Sequence, residues 1–144
     1  FPDQLKALAG MKHHLRDGGK MAAMVYSTAE MNEFFSIPVS IIRRRAKLPA
    51  PLAGQPGPFS LGGAGKLEER FNQAGFSDIR VSAIDAPVRL SSAAECLQFE
   101  QESFGALHQM LSGLSDSEQD EAWHEIEEAL EVFEKNGQFQ GPCQ

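Results

Sequence analysis

The sequence predicts a mixed α/β chain, mostly helical, with about five helices and two or three strands in a single domain. Three observations predict it. Apolar residues recur at helical spacing in several stretches, most of them opened by a capping residue. A short continuous apolar run, Met21 to Tyr26, follows a helix and a glycine turn, which is one step of an α/β layer. And 144 residues, 42% hydrophobic and 23% charged, are ordinary for one globular domain, which excludes general disorder.

The first helix runs from Asp3 to Arg16, with Leu5, Leu8, Met11 and Leu15 on one stripe and Asp3 as its cap. Asp17-Gly18-Gly19 stops it. Residues 20–26 then read as a strand buried on both faces. Ser27-Thr28-Ala29-Glu30 has capping-box spacing and opens a helix reaching about Arg45, which Pro38 should split or kink. Pro49, Pro51, Pro56 and Pro58, with Gly54 and Gly57, make a rigid extended loop. Lys66 to Ala74 is helical with Gly75 as cap and Phe76 as the apolar contact after it. Residues 78–84 alternate as a half-buried edge strand, and Pro87 weakens its continuation through Val88 and Leu90. Two capping boxes, Ser92 with Glu95 and Ser115 with Glu118, open two more helices. The first should bury Leu97, Phe104, Leu107 and Leu111; the second Ala122, Trp123, Ile126, Ala129, Leu130 and Phe133. Gly137 ends the last helix, and the final seven residues read as loose.

The net charge of −7 divides unevenly: residues 1–90 carry +4 and residues 91–144 carry −11. That split marks a sheet-side α/β part (1–90) and an acidic helical part (91–144). The acidic half argues against nucleic acid as an obligatory partner, because phosphate neutralisation needs a continuous basic surface. Only Cys96 and Cys143 are present, too few for a disulfide framework, so a reduced, cytoplasmic setting is expected. No run of about 18 apolar residues spans a membrane, and no secretory signal is visible. The chain begins at Phe1, which leaves room for a fragment.

Candidate chemistry is thin. Gly62-Gly63-Ala64-Gly65 precedes a helix, but a nucleotide fingerprint needs a buried strand before it and G-x-G-x-x-G spacing, and neither is met. His13-His14 are adjacent and diverge by about 100° on a helix, with no third metal ligand at suitable spacing. His108 and His124 are isolated, and Arg43-Arg44-Arg45 fits a solvated helix end. No catalytic triad or activated cysteine assembles from local motifs, so the catalytic residues stay unknown.

A resemblance adds to this. Phe1-Pro2-Asp3, Ala7-Leu8 and Leu15-Arg16-Asp17-Gly18-Gly19-Lys20 before an apolar run look like the "FPD…AL…RVLRPGGR" stretch of class I S-adenosylmethionine-dependent methyltransferases. The branch is methyltransferase type 11, similar to the quinone-biosynthesis C-methyltransferases. Pro56-Gly57-Pro58-Phe59-Ser60-Leu61 resembles the family's "PGPF-L", and Leu67 to Ile79 its "L…L..AGF.DV". Pro87 to Glu95 (a proline, a short strand, then Ser-x-x-Glu) and the Gly137 to Pro142 ending also fit, so the resemblance covers nearly the whole chain.

The resemblance implies the C-terminal half of a Rossmann-like methyltransferase fold. The family's glycine-rich cofactor loop and ribose carboxylate would lie upstream of Phe1 and its last antiparallel strand after Pro142, so no cofactor-binding residue is expected in this chain. The segments matching 27–60 and 91–113 would roof the site and shape substrate choice, which makes Tyr26, Phe34, Phe35 and Phe59 the substrate-side candidates. The full-length enzyme would use S-adenosylmethionine on a small-molecule substrate by in-line displacement, which depends on positioning more than on a dedicated triad. The isolated chain is expected to be inactive and to bind no cofactor. Residues 20–26, deprived of neighbouring strands, would pair with a second copy to give a homodimer. The competing expectation is a non-catalytic helical binding or assembly module derived from that fold.

Overall fold

The computed structural model describes residues 3–50 and 55–144; Phe1-Pro2 and Pro51 to Gly54 of the proline-rich loop lie outside the described residues. The helices are α1 (Gln4–His13), α2 (Glu33–Arg45), α3 (Lys66–Gln73), α4 (Ala93–Ser103), α5 (Gly105–Leu111) and α6 (Asp116–Leu130). Three short strands, β1 (Val88–Leu90), β2 (Glu134–Lys135) and β3 (Gln138–Gly141), form an antiparallel sheet in the order β1-β3-β2. The chain is therefore mixed α/β and mostly helical. It forms two compact units: Phe1–Thr28 with Pro51–Ile84, and Ala29–Ala50 with Asp85–Gln144. The chain passes from one to the other three times, and the boundary does not fall at residue 90.

In the first unit, Asp3 accepts a hydrogen bond from the Lys6 amide at 2.9 Å and so caps α1. Gly75 takes a left-handed φ of 85° after α3, and the Phe76 amide reaches back to the Phe71 carbonyl at 3.0 Å. The Phe71 and Phe76 rings then meet at 5.1 Å, closing the helix end as the glycine-phenylalanine pair predicts. Helix α1 packs on α3, with Leu8 and Phe71 buried and the Lys12 ammonium donating to the Gly75 carbonyl.

Two expected strands are absent. Residues 20–26 join no sheet, and Met24 is 94% exposed rather than buried. Residues 78–84 likewise stay outside any strand, with Val81 and Ile84 exposed. A strand exists only with a partner for its backbone groups, and the one sheet among the described residues is built entirely from residues 88–90 and 134–141.

The second unit has a true core. Helix α2 lies against α6 and α5, burying Phe34, Phe35, Pro38, Ile41 and Ile42. It begins at the Asn32 cap, after a single 3₁₀ turn at Ala29–Met31, rather than at Ser27, and it runs unbroken through Pro38. Packing of its apolar face holds it together across the proline. The stretch after Ser92 divides at Phe104, whose φ of −115° and ψ of 76° are not helical. That break resets the register, so α4 buries Ala93, Cys96 and Glu100 in place of Leu97, while α5 buries Leu107 and Leu111 as expected. Helix α6 buries Ala122, Trp123, Ile126 and Leu130, with both halves of the Ser115–Glu118 capping box made.

The C-terminal residues are not loose. Helix α6 ends at Leu130, and Asn136 (φ 54°) and Gly137 (φ 72°) form the two-residue turn of a hairpin whose twist suits paired strands. Strand β3 is central, pairing Leu90 and Glu134 with Phe139 from its two sides. Phe139 is fully buried, with Gly141 on the same face and Gln138 and Gln140 on the other. Beyond it the Cys143 carbonyl accepts from the Ala86 amide, and Gln144 donates from its backbone to Asn32 and from its side chain to Asp85.

Candidate functional site

The four aromatic candidates fall into two pairs. Tyr26 and Phe59 belong to the first unit, both half-buried, with ring centroids 6.1 Å apart. The turn carrying Phe59 is tied to α1 by the Gln4 side-chain amide, which donates to the Ser60 hydroxyl at 3.0 Å. The chain passes so close at Gly62 that the Ser27 carbonyl occupies the space a Cβ would need. Gly62 is thus required by a close backbone approach beside Tyr26, and Gly65 caps α3 in the left-handed conformation. Among the described residues no strand precedes this glycine run.

Phe34 and Phe35 lie in the core of the second unit, 2% and 6% exposed. Phe35 meets Phe104 at 4.6 Å, and a Cβ added to Gly141 would touch Phe34. Both residues hold α2 in place. Next to them on α2 lies a shallow, open hollow of about 300 Å³ lined by Ala29, Glu30, Glu33, Ser36, Ile37 and Ser40. None of the four aromatic candidates lines it.

The basic triplet is structural. Arg44 pairs with Glu125, and Arg45 bonds Glu125 at 2.5 Å and Glu121 at 3.1 Å, fastening α2 to α6. The Arg45 guanidinium holds the Glu125 carboxyl below its usual range, and the same pairing raises Arg45. The histidines are engaged locally on helices. His14 bonds the Gly10 carbonyl, His108 bonds the Gln101 carbonyl, each at 2.8 Å, and His124 sits 3.4 Å from Glu128. Among the described residues no group of three or more His, Cys, Asp or Glu could hold a metal ion.

Two buried polar groups escaped the sequence reading. Asn32 is fully buried, and its side-chain carbonyl accepts from the Gln144 amide at 3.0 Å across 112 positions. Glu100 is also fully buried, and among the described residues neither carboxylate oxygen has a hydrogen-bond partner. Burial pushes its carboxyl up to about 8, and burial with the nearby Glu100 pushes the Cys96 thiol up to about 12. The available signal was positional: Ala93, Cys96 and Glu100 share one face of a helix that stops at Ser103.

Comparison of the chain with protein-family models, with curated proteins and with solved structures finds no match. No described helix is long and apolar enough to cross a membrane.

Proposed function

We propose that this chain is the substrate-side half of an S-adenosylmethionine-dependent small-molecule methyltransferase, inactive by itself because the cofactor-binding half is not among these residues. One observation carries the reading beyond motif likeness. The first unit repeats a single order: helix, glycine turn, then a segment that carries apolar side chains and joins no sheet. It occurs as α1 with residues 20–26, and again as α3 with residues 78–84. Among the described residues the backbone of 77–84 makes no hydrogen bond, while Met24, Val81 and Ile84 stand exposed. Backbone donors and acceptors in such a state call for a neighbouring strand, which a parallel sheet contributed by the missing half would provide. Tyr26 and Phe59 then form the apolar wall on the substrate side, where the chain's task is to orient the methyl acceptor.

The same exposed segments support self-association of the chain alone, as a homodimer through residues 20–26 and α1 in a reduced cytoplasmic setting. Light scattering at tens of micromolar tests this, and a 15.8 kDa monomer overturns it.

The second reading is a non-catalytic binding or assembly module. What favours it is the second unit, whose helices and sheet close a core from their own residues. The deciding experiment is to read the DNA immediately upstream of the Phe1 codon. An in-frame strand, glycine-rich loop and helix supports the methyltransferase half, whereas a stop followed by a start codon supports the module. Calorimetry of the chain with millimolar S-adenosylmethionine is the companion test. No saturable heat is expected, and clear saturation would overturn the half-enzyme reading.

A further inference from the structure

Glu100 occupies a position where an ionised carboxylate cannot stay. It lies in the last turn of α4, fully buried, with both oxygens unpartnered among the described residues. Helix α4 packs against α6, α5 and β1. Helix α6 turns Ala122, Trp123, Ile126 and Leu130 inward and carries the half-buried Glu127. Helix α5 carries His108, whose ring is engaged by the Gln101 carbonyl, and β1 carries the exposed Arg89. Along α4 itself Cys96 lies one turn earlier on the same buried face, its thiol neutral, and Glu102 two residues on is exposed. No cation approaches, so the carboxyl has two states open to it: protonated and buried, or ionised and in water.

The exit route is local. Helix α4 stops three residues later, at Ser103, and Phe104 breaks the geometry while its amide still donates to the Glu100 carbonyl at 3.1 Å. Releasing that last turn carries Glu100 outward without unwinding the start of α4, which is held by Ser92 and by the Glu134 carboxylate on the Ala93 amide. We propose that Glu100 is a proton-controlled latch: protonated, it locks the end of α4 against α6; ionised, it opens that end of the second unit.

The direction of the pH response follows from burial alone. The closed form keeps its proton up to about pH 8, whereas an exposed glutamate releases it near 4.5. The folded state therefore binds more protons, and stability falls as pH rises through that window. The closed-to-open equilibrium should drop about tenfold per pH unit between those limits, then level off.

The test compares the chain with its Glu100→Gln variant by urea titration from pH 4 to 9, followed by the fluorescence of Trp123, the chain's single tryptophan. The other carboxylates are common to both proteins, so the difference between the two curves isolates Glu100. A difference that grows by about a thousandfold or more in the folding equilibrium between pH 4.5 and 8 is expected. Parallel curves overturn the latch. Carboxyl carbon-13 titration of the unsubstituted chain is the second readout, independent of whether the variant folds. A glutamate titrating near 8 supports the latch, and all glutamates titrating below 5.5 overturn it.

Discussion

Replacing Phe139 with alanine should unlock the second unit. The ring is fully buried on the central strand of the sheet and meets Phe133 edge-on at 6.2 Å. Removing a buried phenylalanine loses the transfer free energy of its side chain, about 1.5–3 kcal/mol. The strand is hydrogen-bonded on both sides, by β1 and β2, so it cannot collapse freely into the space left behind, and the cavity adds to the loss. The total expected is about 3–5 kcal/mol, a fall of between a hundredfold and a few thousandfold in the folding equilibrium. Urea unfolding followed by Trp123 fluorescence at pH 6 measures it, with Phe99→Ala as the control, since Phe99 is 38% exposed and should cost under about 1.5 kcal/mol. Loss of less than about 1 kcal/mol for Phe139→Ala would refute the reasoning. It would mean that residues 138–144 are as loose in solution as their composition implies.

Three further outcomes are expected. Cys143, half-buried, should react with a disulfide reagent at pH 8 well before Cys96, whose thiol burial pushes up to about 12; equal rates, read by mass spectrometry, would count against the packing of α4. Glu125 is held below its usual range by Arg45, so its contribution to stability is present above about pH 4.5 and fades as pH falls through the lower folded value; Glu125→Gln should flatten that part of the acid-unfolding curve, and an unchanged curve would show the pair to be idle. Gly62→Ala places a Cβ on the Ser27 carbonyl, so the first unit should loosen and trypsin should cut sooner at Lys66 and Arg70; an unchanged digestion pattern would argue against the close approach.

Features set by a few adjacent residues were legible in the sequence. Asp3, Ser92 and Ser115 cap helices where their spacing says they should, and Gly75-Phe76 closes α3, because those bonds span only three to five residues. Features needing a distant partner were not. The apolar run at 20–26 has strand composition, but composition supplies no neighbouring strand. Residues 138–141 have the reverse character: two glutamines and a glycine disguise a strand that Leu90 and Glu134 pair from both sides. The Asn136-Gly137 turn was the one local clue to it. Pro38 misled through local chemistry, since the burial of Phe34, Phe35, Ile41 and Ile42 keeps α2 continuous. Of the candidate site, the aromatic residues were visible by type, but only tertiary packing separates the half-open Tyr26–Phe59 pair from the buried Phe34 and Phe35. Glu100 was hidden because the face of α4 that turns inward is set by its packing against α6, α5 and β1.

The bond between Asn32 and Gln144 also orders events on the ribosome. The second unit draws on residues 29–50 and on β3, which is synthesised long after them. Helices α2, α4, α5 and α6 can emerge and collapse together, but their sheet has no centre until Phe139 has left the exit tunnel, and Asn32 has no Gln144 amide to accept until the synthesis of residue 144. During that interval Phe34 and the face of β1 wait uncovered. Translation stalled before the Asn136-Gly137 turn should therefore leave a helical but adhesive intermediate.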